Sequence, residues 1–110
     1  MNLKHIKLAA AAFAFATCSF QAHAECTYPK APATIPDGKS ASESEMVAAM
    51  NAFKAYNDEV ASFSRCLEDE AVTSMAAKTM KAKKISAAQD ELQQKARLFN
   101  EQVRVFKARA

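Results

Sequence analysis

The sequence predicts an all-α protein: an antiparallel two-helix hairpin, with a Pro-rich extended N-terminal arm that a disulfide pins in place. Three observations carry this. Residues 39–110 contain no glycine and no proline, and Ala, Glu, Gln, Lys and Met dominate them, which is helix composition. Apolar residues recur at heptad spacing through two long stretches of that run. Two cysteines, Cys26 and Cys66, remain once a leading segment is set aside.

That leading segment, residues 1–24, reads as a secretory signal. Lys4 and Lys7 make a positive start, residues 8–20 are uncharged and apolar, and Ala22-His23-Ala24 is a small-x-small cleavage site. The apolar run is shorter than the about 20 residues a membrane-spanning helix needs. Cleavage near Ala24 sends the mature chain, beginning at Glu25, to the periplasm or beyond. Cys18 is a poor lipid-attachment site, because Thr17 is bulky before it and no leucine stands three positions earlier.

Trimming changes the inventory. Both histidines (His5 and His23), Cys18, Lys4 and Lys7 leave with the signal. The remaining 86 residues hold 13 basic and 12 acidic side chains, a net charge of +1 against +3 for the whole chain. So small a domain buries too little to be secure without a staple. An even pair of cysteines in an oxidising compartment is best read as a disulfide. Closing the Cys26–Cys66 loop stabilises by about 4 kcal/mol from lost loop entropy. Two thiolates without a histidine make only half a zinc site, and the redox spacing CxxC is absent.

Residues 25–42 form the arm. They hold all three prolines, Pro29, Pro32 and Pro36, and the only glycine, Gly38. Extended chain ending in a turn at Pro36-Asp37-Gly38 is expected. Residues 43–110 form the hairpin. Ser42-x-x-Glu45, overlapped by Ser40-x-x-Glu43, is a capping box, and Glu43 and Glu45 suit the first turn. Met46, Phe53, Val60 and Leu67 recur every seven residues, with Ala49, Tyr56 and Phe63 between them, to form one seam. The second helix repeats the pattern with Ile85, Leu92, Phe99 and Phe106, and with Ala82, Ala96 and Val103 as complements; Gln89 interrupts it. No breaker marks the reversal, which is placed within residues 71–79, with Thr73 and Ser74 as N-caps.

Charge favours the antiparallel pairing. Residues 25–70 carry −5 and residues 71–110 carry +6. Arg104, Lys107 and Arg109 are expected at the last carbonyls of the second helix. The arm is long enough to return to Cys66. Residues 43–66 rise about 35 Å as helix, while residues 26–42 reach about 50 Å as polyproline-like chain. Tyr28 and Ile35 should then cover apolar surface in the groove of the hairpin.

Taken together, Cys26-x-Tyr28-Pro29, the Pro-Asp-Gly turn, Cys66-Leu67 and the stretch Phe99-Asn100-Glu101-Gln102-Val103-Arg104 resemble a set of small secreted helical-hairpin proteins of Gram-negative bacteria. The resemblance spans most of the mature chain. It implies a secreted, disulfide-pinned hairpin and no activity.

The inventory argues against catalysis. Without histidine, no Ser/His/Asp or Cys/His arrangement exists after cleavage, and one glycine cannot make a phosphate loop. The carboxylates at Asp58-Glu59, Glu68-Asp69-Glu70 and Asp90-Glu91 are sequence neighbours, which point to different parts of a helix surface and read as solvated faces. No catalytic residue, cofactor or metal is expected. Met46/Met50 and Met75/Met80 would suit Cu(I), but read better as seam and gap-filling residues. The basic cluster Lys78, Lys81, Lys83, Lys84 is a candidate contact for an anionic surface, or else a solubilising face partnered by Glu68-Asp69-Glu70. It lacks aromatics for base stacking, so no nucleic-acid partner is expected. The chain thus reads as a periplasmic binding or structural module: an adaptor, a small chaperone-like protein, or a homo-oligomer formed through a second apolar strip of Val47, Met50, Leu98 and Val105. The alternative is an envelope- or membrane-surface binder acting through the basic second helix.

Overall fold

The computed structural model describes residues 25–109. The expected signal, its cleavage near Ala24 and the question of lipid at Cys18 lie outside the described residues. Those residues are all-helical: they contain two helices, no strand and a disulfide joining Cys26 to Cys66.

Helix α1 spans Glu43–Asp69. It starts at Ser42, whose Oγ accepts from Glu45 N at 3.1 Å while Ser42 N donates to Glu45 Oε2 at 2.7 Å. Both halves of the capping box are therefore made. The overlapping candidate, Ser40, does not cap. It lies in the preceding turn, where Ser40 N and Ala41 N both donate to Asp37 O, at 3.1 and 2.8 Å. Asp37 Oδ1 also accepts from Lys39 N at 2.9 Å, an Asx turn. The turn thus begins at Asp37 rather than centring on it.

Helix α2 spans Met75–Ala108, with Ser74 as its N-cap, accepting from Ala77 N at 3.1 Å. The link is residues 70–74, which overlaps the start of the expected window. No glycine ends α1. Instead Lys81 Nζ reaches across from α2 and donates to Glu68 O at 3.1 Å and Glu70 O at 3.0 Å. These are carbonyls a helix end leaves without partners.

The α1 seam is buried at Met46, Phe53, Tyr56, Val60, Phe63 and Leu67, and half-buried at Ala49. On α2 only Phe99 and Ala88 are fully buried, with Ile85, Leu92, Val103 and Phe106 packed partly against them. Ala82 is exposed, so its expected seam role passes to Ala88, which is 1% exposed. The contacts run in opposite chain directions. Glu68 and Glu70 meet Lys81, Phe53 meets Phe99, and Gly38, just ahead of α1, meets Gln102.

The chain before α1 contributes Pro29, Gly38 and Ala41 as buried residues, with Cys26, Ala31 and Ile35 half-buried against the core. Tyr28 lays its ring edge on Phe63, centroids 5.2 Å apart at 70°, and its hydroxyl donates to Glu91 Oε2 at 3.2 Å.

Gly38 is clamped onto α2. Its N–H donates to Gln102 Oε1 at 2.8 Å, and Arg109 donates to Gly38 O at 3.1 Å and Ala41 O at 2.7 Å. Arg109 therefore serves carbonyls ahead of α1, not the last carbonyls of α2 where charge alone had placed it. No described residue, Gly38 included, has a positive φ, so glycine is required here for room, not for handedness. A Cβ at this position would collide with the main-chain oxygen of Gln102 and lie 2.9 Å from Phe106 N. Backbone cannot yield as a flexible side chain can. Gly38→Ala is expected to lower the unfolding midpoint markedly, and a midpoint unchanged in a urea titration would show that this approach is not tight.

Candidate functional site

The most distinctive surface lies where the middle of α1 meets the C-terminal third of α2. Phe53 and Phe99 stack with centroids 4.8 Å apart and planes at 13°. Beside this stack is an open depression of about 440 Å³ lined by Met50, Phe53, Lys54, Asn57, Asp58, Ala96, Phe99 and Asn100. Met50 is 43% exposed although it is large and apolar. Its floor is apolar, and its rim carries one cation, one anion and two carboxamides.

The second apolar strip expected from the sequence is divided. Met50 belongs to this depression, and Val47 lies beyond it among Glu43, Ser44, Ala48 and Asn51. Leu98 and Val105 line a different depression together with Ile35, Pro36 and Gln102. The division follows from helix geometry, because Leu98 and Asn100 flank Phe99 on opposite sides of α2. A third cleft, about 650 Å³, separates residues 32–41 from an alanine face of α1 made by Ala48, Ala49 and Ala52.

The four lysines are not equivalent. Lys78, Lys83 and Lys84 are exposed, whereas Lys81 is half-buried with its ammonium on the α1 carbonyls. The expected attraction between this cluster and residues 68–70 is thus made, for Lys81, through main-chain oxygens. Of the methionines, Met46 is buried in the seam, while Met75 and Met80 are 76% and 52% exposed at the start of α2. Among the described residues, no group of three or more His, Cys, Asp or Glu side chains is placed to hold a metal ion.

Residues that periodicity did not single out are Asn57, Asn100 and Glu91, whose carboxylate acts on both Tyr28 and the seam residue Tyr56. A usable signal existed for the first. Val47, Met50, Lys54, Asn57 and Ala61 repeat the 3-4 spacing of the core seam one step around the helix.

Two phenols titrate late. The Tyr56 hydroxyl is buried without a hydrogen-bond partner. That burial raises its pKa above 10.0, and the charge of Glu91 adds to the effect. The Tyr28 phenol is raised by desolvation, then by its hydrogen bond to Glu91 and that carboxylate's charge. The fold therefore prefers both phenols neutral. Their contribution to stability is complete below the ordinary value, about pH 10, and is lost as pH climbs through the raised values. Thermal stability should fall above about pH 10, and Tyr28→Phe should remove part of that fall. An undiminished fall in Tyr28→Phe would show that the Tyr28 phenol does not drive it. Comparison with protein-family profiles, with curated proteins and with solved structures finds no match for this chain.

Proposed function

We propose that the chain is exported, trimmed near Ala24, and works in the bacterial periplasm as a non-enzymatic binding or structural module. In this reading it is an antiparallel helical hairpin, with its Pro-rich arm pinned by Cys26–Cys66. The observation that carries the proposal is the open apolar depression beside the Phe53/Phe99 stack. Contiguous apolar surface rimmed by polar groups is the mark of an interaction site, and here exposed Met50 joins the Phe53/Phe99 stack inside a rim of Lys54, Asn57, Asp58 and Asn100. The disulfide supports an oxidising compartment, and the leading residues supply the export signal.

The test is a photo-crosslinking amino acid placed at Asn57, on the depression, or at Gln94, on the polar face with Asp90 and Arg97. Irradiation of the exporting host should yield a discrete protein adduct from position 57 and none from position 94. No adduct from 57 would overturn the proposal. A second reading is contact with an anionic membrane surface through the start of α2. It is favoured by Met75 and Met80 standing exposed near Lys78, Lys83 and Lys84. Among the described residues no helix is long and apolar enough to cross a membrane, so such contact would be peripheral. Pelleting with phosphatidylglycerol vesicles at low salt supports this second reading; a protein that stays in the supernatant removes it.

A further inference from the structure

We infer that the occupant of the depression is a second copy of this chain, related by a two-fold axis that crosses α1 near Asn57. The inference rests on the binding-module reading and names its partner. Three features single out self-association.

The first is charge. Lys54 and Asp58 stand four residues apart on one face of α1, both exposed and both on the rim. A two-fold axis between them sets Lys54 of each copy opposite the partner's Asp58, giving two ion pairs and no excess charge. An isologous interface must be complementary to itself, and this pair meets that requirement within one turn of helix. A partner of strong single sign would leave one of the two charges opposed by its like.

The second is shape. In the same antiparallel register Met50 of each copy falls beside the partner's Ser62 and the partner's Ala61, a long side chain over small ones, as interdigitating helices need. The exposed row Val47, Met50, Lys54, Asn57 and Ala61 extends this match along α1 at heptad-like spacing.

The third is polarity. Asn57 and Asn100 both line the depression. A single asparagine in an otherwise apolar helical seam fixes register and oligomer state at some cost in stability. Here each helix contributes one, close to the axis. The product is a four-helix assembly with the Phe53/Phe99 stacks covered.

The experiment is sedimentation equilibrium of the oxidised mature protein across micromolar concentrations, together with Lys54→Asp, Asp58→Lys and the double swap Lys54→Asp/Asp58→Lys. The wild type should approach twice the monomer mass. Each single reversal should weaken dimerisation by about ten-fold or more, and the double swap should restore it. Circular dichroism should be alike for all four, since both side chains are exposed, while the melts of the wild type and the double swap should rise with protein concentration as association stabilises them. Met50→Glu should also give monomer. A wild type monomeric throughout, or a double swap no better than the singles, overturns the inference. An adduct from position 57 whose mass matches another protein overturns it too, while leaving the binding-module proposal standing.

Discussion

Replacing both Cys26 and Cys66 with serine will lower the free energy of unfolding by about 2–5 kcal/mol. The bond joins residues 40 apart in sequence, with their Cα atoms 5.6 Å apart. It ties the start of the described chain to the last turns of α1. Without it, residues 26–37 are held at one end by the Gly38 clamp and elsewhere by a few contacts. Those contacts include the Tyr28 edge on Phe63, its bond to Glu91, buried Pro29 and half-buried Ala31 and Ile35. Tyr28 is 48% exposed, so this packing is thin beside the entropy that the crosslink removes. Most small domains of this size have only a few kcal/mol in hand. Urea titrations with and without dithiothreitol measure the effect. Reduction should shift the midpoint of the wild type and leave the serine variant unmoved. A wild type whose midpoint ignores the reductant would mean that the arm holds by packing alone.

The second large effect belongs to the aromatic stack. Phe53→Ala and Phe99→Ala should each cost about 3–5 kcal/mol, from lost burial and the cavity left behind. Both rings are buried, and Tyr56 meets Phe53 edge-on with centroids 6.3 Å apart at 71°. Among the described residues Phe53 is thus packed by two rings and Phe99 by one, so truncating Phe53 should cost more. The double variant should lose less than the sum of the two, by a coupling of about 0.5–1.5 kcal/mol. If the alanine variants do not fold, Phe53→Leu and Phe99→Leu keep most of the volume and the same cycle is run on them. Strict additivity would show that the rings touch without favouring each other.

How much of this was readable in advance differs by residue, for physical reasons. The α1 seam was plain because large apolar side chains at a fixed spacing leave little doubt about which face turns inward. The Ser42 capping box and the Ser74 cap were readable because a cap is local, decided within four residues. Ala88 was not readable. In an alanine-rich helix a methyl group carries no pattern, and only the approach of α1 makes one alanine buried and Ala82 exposed. The Gly38 clamp was hidden for another reason: Gln102 and Arg109 lie 64 and 71 residues away, and no periodicity links them. Arg109 shows how a sound local rule loses. The dipole of α2 attracts a cation, but two bare carbonyls at Gly38 and Ala41 offered direct hydrogen bonds within reach. The depression was half visible. Met50 was noticed as apolar, yet it was grouped with Leu98, because a strip drawn from hydrophobicity alone ignores which side of Phe99 each residue takes.

The link at residues 70–74 is made of Glu70, Ala71, Val72, Thr73 and Ser74, none of which forbids helix. What bends the chain there is a serine hydroxyl and one long amine, Lys81, latched on two oxygens. With no breaker among those five residues, the bend is set by what holds its two ends and not by the backbone of the link itself. A hinge without glycine or proline leaves the bend to hydrogen bonds from Ser74 and Lys81 at its two ends, backed by the Phe53/Phe99 packing farther along.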